Sequence, residues 1–108
     1  MSTYTAADHD ELLNLAQKAA ALAPSAEAAR RRAERLRDSP APTAARLAAH
    51  AEAERLSEHH HATLTEAVKM AAEMIERTDP TEVPRLLCHL KGRLTAQLHA
   101  AAHHVTRA

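Results

Sequence analysis

The chain has 108 residues, and its 14 basic and 14 acidic side chains cancel to a formal charge of zero. This length supports one domain with a single modest core, and zero net charge excludes a bulk electrostatic attraction to nucleic acid or to anionic membranes. One aromatic residue and one glycine in a chain rich in Ala, Leu, Glu and Arg exclude a β-sheet domain, because strand-forming residues are scarce and unbranched side chains favour helix.

Processing and membrane signals are missing from the sequence. The lone Cys88 cannot form an internal disulfide, and neither a signal peptide nor an apolar run of about 18 residues is present. We therefore expect residues 1–108 to form a single helical domain of a soluble, cytoplasmic protein.

The first helix is predicted over residues 6–37. Thr5 and Asp8 form a capping box at its start. Pro24 interrupts the helix, and we expect a kink or a short break there, with Ser25 as a new cap. The apolar stripe keeps one phase across the proline, through Leu12, Leu15, Ala19, Leu22, Ala26, Ala29, Ala33 and Leu36.

The second helix is predicted over residues 44–77, a length of about 50 Å, with Thr43 as its N-cap after a proline-rich turn. At 100° per residue it carries two apolar stripes about 120° apart. Two apolar sides indicate two neighbours, so we expect this helix to lie between the other two. The first stripe is Leu47, Leu64, Val68, Ala72 and Ile75, and the second is Ala53, Leu56, Ala67, Met70 and Met74.

The third helix is predicted over residues 80–105, because Asp79, Pro80 and Glu82 are a helix start signal, with a bend at Pro84. Its core seam is Leu87, Leu90, Leu94, Leu98, Ala101 and Val105. The expected fold is all-α: an antiparallel bundle of three long helices, the first kinked at Pro24, which dimerisation can complete to four or more helices.

Histidine and carboxylate side chains share one side of the second helix. His50, Glu54, Ser57 and His61 fall within about 60° of one another, in line with the apolar first stripe. If this side faces the core, these groups need partners, and a transition-metal ion is one. Glu58 and His61 add a Glu-x-x-His pair, the spacing found in carboxylate-bridged di-iron bundles. The alternative is an ordinary solvated or partner-facing surface.

The side of the third helix opposite its seam carries a second histidine pair. His99 and His103, four residues apart, can hold a divalent metal, whereas Cys88 lies about 16 Å from His99 along the axis and cannot share that ion. Gly92 and Ala96 lie on the same side and allow another helix to approach closely. A metal site, a self-associating face and a solvated surface all remain open for this side.

Four short segments resemble parts of known families. Residues 8–13, DHDELL, resemble the opening of hemerythrin-like cation-binding domains, His50-x-x-x-Glu54 resembles their second element, and His99-x-x-x-His103 resembles a further histidine pair. The resemblance implies metal ligation by His9, His50, Glu54, His61, His99 and His103. Glu58-x-x-His61 also resembles the encapsulated ferritins, whose Glu-x-x-His helix completes a di-iron site by dimerising.

Other chemistry finds little support in the sequence. Cys88 and His89 are adjacent rather than arranged as nucleophile and base, and no glycine-rich phosphate loop occurs, so we do not expect enzyme activity other than metal-based redox chemistry. Residues 29–37, ARRRAERLR, carry the Arg30 to Arg37 patch. Acidic residues interleave and no aromatic can stack on bases, so we expect a solvated face and no nucleic-acid binding.

Two functions follow. The first is a small histidine-rich dimeric protein that binds Fe, Zn, Cu or Ni, in a storage or sensing role, through His50, Glu54, Glu58, His61, His9, His99 and His103. The second is a metal-free helical module that docks a protein partner, most sensitive to Leu56, Met70 and Met74, with histidines that provide pH sensitivity. No membrane partner is expected for either function.

Overall fold

A computed structural model of the chain describes residues 5–105, with the side chains of residues 5–102. Helices α1 (Ala6–Arg37), α2 (Thr43–Arg77) and α3 (Arg85–Val105) account for nearly all of this range, which contains no strand. The all-α prediction is therefore confirmed. None of the described helices combines the length and the apolar character that crossing a membrane requires.

Helix α1 begins as its sequence predicts. The Asp8 backbone N–H donates to Thr5 Oγ1 at 3.3 Å, and the Thr5 backbone N–H donates to Asp8 Oδ2 at 3.0 Å. This reciprocal pair satisfies two N–H groups that a helix start leaves without partners. The helix then runs without interruption through Pro24 to Arg37, so the expected break with Ser25 as a cap does not occur. A bend of the axis at Pro24 stays a prediction.

Helix α2 begins one residue earlier than predicted, and its cap differs. Pro42 is the N-cap, with no side-chain capping bond, so the prediction of Thr43 as N-cap is wrong. The Pro42 carbonyl accepts from the N–H groups of Ala45 and Arg46 at 3.0 and 3.2 Å. Proline at φ −56° and ψ 145° provides the extended entry that an N-cap requires, and Thr43 becomes the first helical residue.

Helix α3 begins at Arg85, five residues after the predicted start at residue 80. Asp79 forms a turn instead, because its Oδ1 accepts from the Thr81 N–H at 2.9 Å and its carbonyl accepts from the Glu82 N–H at 2.8 Å. Pro84 then disfavours helical backbone at Val83 through steric clash. The Asp-Pro start signal therefore makes a turn, and the helix can begin only beyond Pro84.

Helix α2 lies between its two neighbours, as the two apolar stripes predict, since it packs along both α1 and α3. The Leu side chains at the centre are fully buried, and the smaller Ala side chains between them allow the helices to approach closely. The core combines Leu12 and Ala19 of α1, Leu64, Ala67, Ala71 and Met74 of α2, and Leu87, Leu94 and Ala101 of α3.

The half of the molecule near the α1–α2 connection has only two helices. With 21 residues, α3 reaches about 31 Å, against about 52 Å for the 35 residues of α2. In residues 26–57, which we call the two-helix arm, the fully buried side chains are all small and lie outside the main core: Ala26, Ala49, Ala53 and Ser57. Leu47, predicted as a core residue, is 65% exposed, because no third helix of the chain covers its side of α2.

Candidate metal site on helix α2

The best-defined pair of candidate ligands is His50 with Glu54. The Nε2 of His50 lies 3.1 Å from Glu54 Oε1, and the two side chains are 63% and 46% exposed. Their spacing of four residues places them on consecutive turns of one side of α2. The sequence correctly predicts that they are neighbours, and of the two alternatives for this side, a core face or an open surface, the structure has the open surface.

Glu58 and His61 continue the same side of α2 toward the middle of the helix. Glu58 is exposed and His61 is half-buried. We call His50, Glu54, Glu58 and His61 the His/Glu row; it spans about 16 Å along the axis and about 80° around it. Its members are open to solvent because they lie on the arm or at its edge, where α3 ends.

A heptad line shows how the environment changes along α2. Leu47, Glu54, His61, Val68 and Ile75 follow one another every seven residues. Val68 and Ile75 pack against the core, His61 is half-buried, and Glu54 and Leu47 are exposed. The line passes from the three-helix half of the molecule onto the arm, so the same helix side is core at one end and open surface at the other.

The remaining candidate histidines lie elsewhere. His9 is near the start of α1, about 42 Å from the connection, while His50 is about 10 Å from it, so roughly 30 Å separates them along the antiparallel pair. His99 is exposed on α3. The side chain of His103 lies outside the described residues. His9 and His50 therefore cannot share one ion within a single chain.

Single-chain coordination is limited to pairs. Among the described side chains, no three from His, Cys, Asp and Glu converge closely enough to hold one ion. A two-ligand surface pair binds metal weakly, because stable sites in proteins use three or four protein ligands. The described part of the chain gives the row no third ligand, so a stronger site needs ligands from elsewhere.

The ligands of the His/Glu row are arranged symmetrically along the helix, so a second copy of the chain could supply the missing metal ligands. His50 and His61 are placed nearly symmetrically about Leu56, and Glu54 and Glu58 are placed symmetrically about the same residue. If two α2 helices pair antiparallel through their rows, with the two-fold axis at the level of Leu56 along the helix, His50 and Glu54 of each face Glu58 and His61 of the other. Each such set contains two imidazoles and two carboxylates, which suits a divalent transition metal.

A second polar cluster, which the sequence does not reveal as a unit, lies between α1 and α2. Arg30 Nη1 lies 3.4 Å from Ser57 Oγ, and Ser57 is 8% exposed. Burial lowers the pKa of the nearby His60, and the positive charge of Arg30 and the ring of His61 lower it further. Helical spacing places Arg30 in phase with Leu12, but only the tertiary structure shows which α2 residues it meets.

No protein-family model, curated protein sequence or solved structure matches this chain.

Proposed function

We propose that this protein binds a divalent transition-metal ion, such as zinc, copper, nickel or ferrous iron, between the His/Glu rows of two copies. The observation that carries the proposal is the 3.1 Å contact of His50 Nε2 with Glu54 Oε1 on an open side of α2. Two ligand atoms are already adjacent there, and neither has to leave a buried environment to meet an ion.

A second copy is the natural source of the missing ligands. Pairs are the largest ligand sets that the described residues form, while the row repeats its ligands symmetrically about Leu56. Leu47, 65% exposed at the end of the row, adds apolar surface that an isolated chain leaves in water and that a helix–helix contact would bury. Dimerisation would also give the arm its missing neighbours.

The role that fits this arrangement is storage or sensing rather than catalysis. An ion held by two imidazoles and two carboxylates from two chains has a full tetrahedral set, and such closed sites stabilise assembly instead of activating substrate. Cys88, exposed and unpaired with another cysteine, suits a reducing compartment, so we place this function in the cytoplasm.

The test uses untagged protein, freed of metal with chelator and then titrated with Zn²⁺ in chelator-free buffer. We expect one Zn²⁺ per chain, measured by calorimetry, together with doubling of the mass, measured by light scattering. The double variant His50→Ala, His61→Ala should lose both responses. Glu54→Gln keeps the side-chain shape and should weaken binding by roughly tenfold or more, since even outer-shell partners of metal ligands contribute that much.

The matched control is the double variant His59→Ala, His89→Ala, which removes two exposed histidines outside the row and should bind and dimerise like the parent protein. Zinc binding that survives in the His50, His61 variant would overturn the assignment to the row. Full-affinity binding by a chain that stays monomeric would overturn the two-copy site.

The alternative function is docking of a protein partner, and the structure changes where that could happen. Met74, Ala67 and Ala53 of the second α2 stripe are buried in the chain itself, so Met74 presents no surface to a docking partner. A partner would have to use exposed leucines outside the core, of which Leu86, 82% exposed at the start of α3, is the most accessible. A Leu86→Ser variant that loses a partner while it keeps zinc binding would favour this alternative.

A further inference from the structure

Arg30 occupies a core-facing position of α1. It lies 18 residues, five full helical turns, beyond Leu12, in the stripe that also holds the buried Ala19 and Ala26. The side chain is half-buried at the α1–α2 contact of the two-helix arm. A charged group at such a position is expected to have a charged partner, because desolvation without one is unfavourable.

No described carboxylate forms an ion pair with Arg30. Glu27, one turn earlier, pairs with Arg31 at 2.8 Å, and Glu34, one turn later, forms no ion pair with Arg30 in the described part of the chain. The hydrogen bond to Ser57 Oγ at 3.4 Å uses one of the five N–H donors of the guanidinium. The cluster therefore holds a positive charge and free donors without a compensating anion.

The groups around Arg30 are those that bind oxyanions. Ser57 is more than nine-tenths buried and contributes a hydroxyl. His60 is half-buried on the same side of α2, close enough to Arg30 to be affected by its charge, and even a neutral imidazole contributes one N–H. A guanidinium binds phosphate and carboxylate oxygens with two parallel hydrogen bonds, which fixes the orientation of the ligand.

We propose that Arg30, Ser57 and His60 form a binding site for a small phosphate-like oxyanion at the α1–α2 contact of the arm. The ligand is either free inorganic phosphate or the phosphate group of a small ester, since both present the same oxygen atoms to the guanidinium. Its binding stabilises the arm, because the ion supplies the charge partner that the described residues lack and connects the two helices where the fully buried side chains are small. This site uses none of the four side chains of the His/Glu row, although His60 is next to His61 in the sequence.

The test compares thermal unfolding in sodium phosphate and in sodium chloride at equal ionic strength, with chelator present so that metal binding does not contribute. At a phosphate concentration ten times the Kd, we expect the Tm of the parent protein to rise by roughly 5 °C or more. Arg30→Lys keeps the positive charge and the aliphatic part of the side chain but removes the guanidinium with its parallel N–H donors. This variant should lose most of the rise in Tm, as should Ser57→Ala.

The matched control is Arg31→Ala, which removes an exposed arginine already paired with Glu27 and should keep the full phosphate response. Phosphate also stabilises proteins generally by exclusion from their surfaces. An equal rise in the parent, Arg30→Lys and Ser57→Ala proteins would therefore overturn the proposal. Arg30→Lys and Ser57→Ala keep the packing of the arm, so the test does not depend on whether Arg30→Ala folds.

Isothermal calorimetry with inorganic phosphate and with phenyl phosphate distinguishes the two sources of the ligand. Tighter binding of phenyl phosphate assigns the site to a phosphate ester, and binding of inorganic phosphate alone assigns it to the free ion. Both outcomes support the site if Arg30→Lys reduces the affinity by about tenfold. The absence of measurable heat with either probe overturns it.

Discussion

Leu64 and Leu47 provide a matched test of the architecture, because they are the same residue type on one helix. Leu64 is 0% exposed at the centre of the core, whereas Leu47 is 65% exposed on the arm. Leu→Ala removes three carbon atoms, and at about 0.8 kcal/mol per buried carbon the transfer cost at Leu64 is roughly 2.4 kcal/mol. The neighbouring Ala67 and Ala71 are too short to fill the cavity, which raises the expected loss to roughly 3 to 4 kcal/mol.

The same arithmetic gives a small effect for Leu47→Ala. About a third of its side chain is protected, so the transfer cost is roughly 0.8 kcal/mol, and the higher helix propensity of alanine offsets part of it. We expect a net loss of about 0.5 kcal/mol in the free energy of unfolding of the monomer. For a domain of this size, Leu64→Ala should lower the Tm by at least about 10 °C, and Leu47→Ala by no more than about 4 °C.

The assay is guanidinium unfolding followed by circular dichroism at 222 nm, with chelator and at low protein concentration so that the chain stays monomeric. The two variants and the parent should share one m-value, because the surface exposed on unfolding hardly changes. Equal losses for Leu47→Ala and Leu64→Ala would refute the reasoning, since they would mean that the chain itself covers the arm. With zinc at high protein concentration, the loss for Leu47→Ala should increase, because the two-copy contact then buries it.

Three further predictions concern the helices and the histidines, each measured by denaturant unfolding of the metal-free protein. Pro24→Ala should raise the free energy of unfolding by about 2 kcal/mol. Removing an interior proline stabilises the folded helix by about 3 kcal/mol, but alanine also gives the unfolded chain more conformational entropy, which cancels part of this gain. A neutral effect would mean that the surrounding helix already compensates for the missing N–H. Asp8→Ala should lower it by about 1 kcal/mol, because the hydrogen bond from the Thr5 N–H is lost. Folding lowers the pKa of His60 through burial, so the unfolded chain binds the proton more tightly and stability should fall as the pH drops through about 6.5. His60→Gln should reduce the dependence of the free energy of unfolding on pH, and His59→Gln should leave it unchanged. An equal pH dependence in the two variants would contradict the assignment to His60.

Much of the helical framework could be predicted from the sequence because it depends on local chemistry. The capping box at Thr5 and the seam of Leu87, Leu90 and Leu94 follow from hydrogen bonds or periodicity within a few turns. The two stripes of α2 likewise predict two neighbouring helices. The predicted start of α3 is wrong because two local preferences compete there. Asp79 and Pro80 are typical of a helix start, but Pro84 disfavours helical backbone at Val83, and this second preference prevails.

The candidate site shows where local reasoning ends. Spacing on one helix predicts correctly that His50 and Glu54 are neighbours, since four residues return the chain to the same side. It cannot predict whether that side is covered, because coverage depends on how far another helix reaches. Helix α3 is about 20 Å shorter than α2, and this difference leaves Leu47, His50 and Glu54 exposed.

By itself, then, the sequence determined where most helices begin and end and which of their sides are apolar, because caps, prolines and a 3.6-residue period act over short stretches of chain. Only the tertiary structure decided which apolar side is buried along its whole length. It also decided that Ser57 contacts Arg30 across two helices and that His9 lies far from His50. These facts depend on contacts between residues distant in sequence, whose geometry follows from the relative lengths and packing of whole helices.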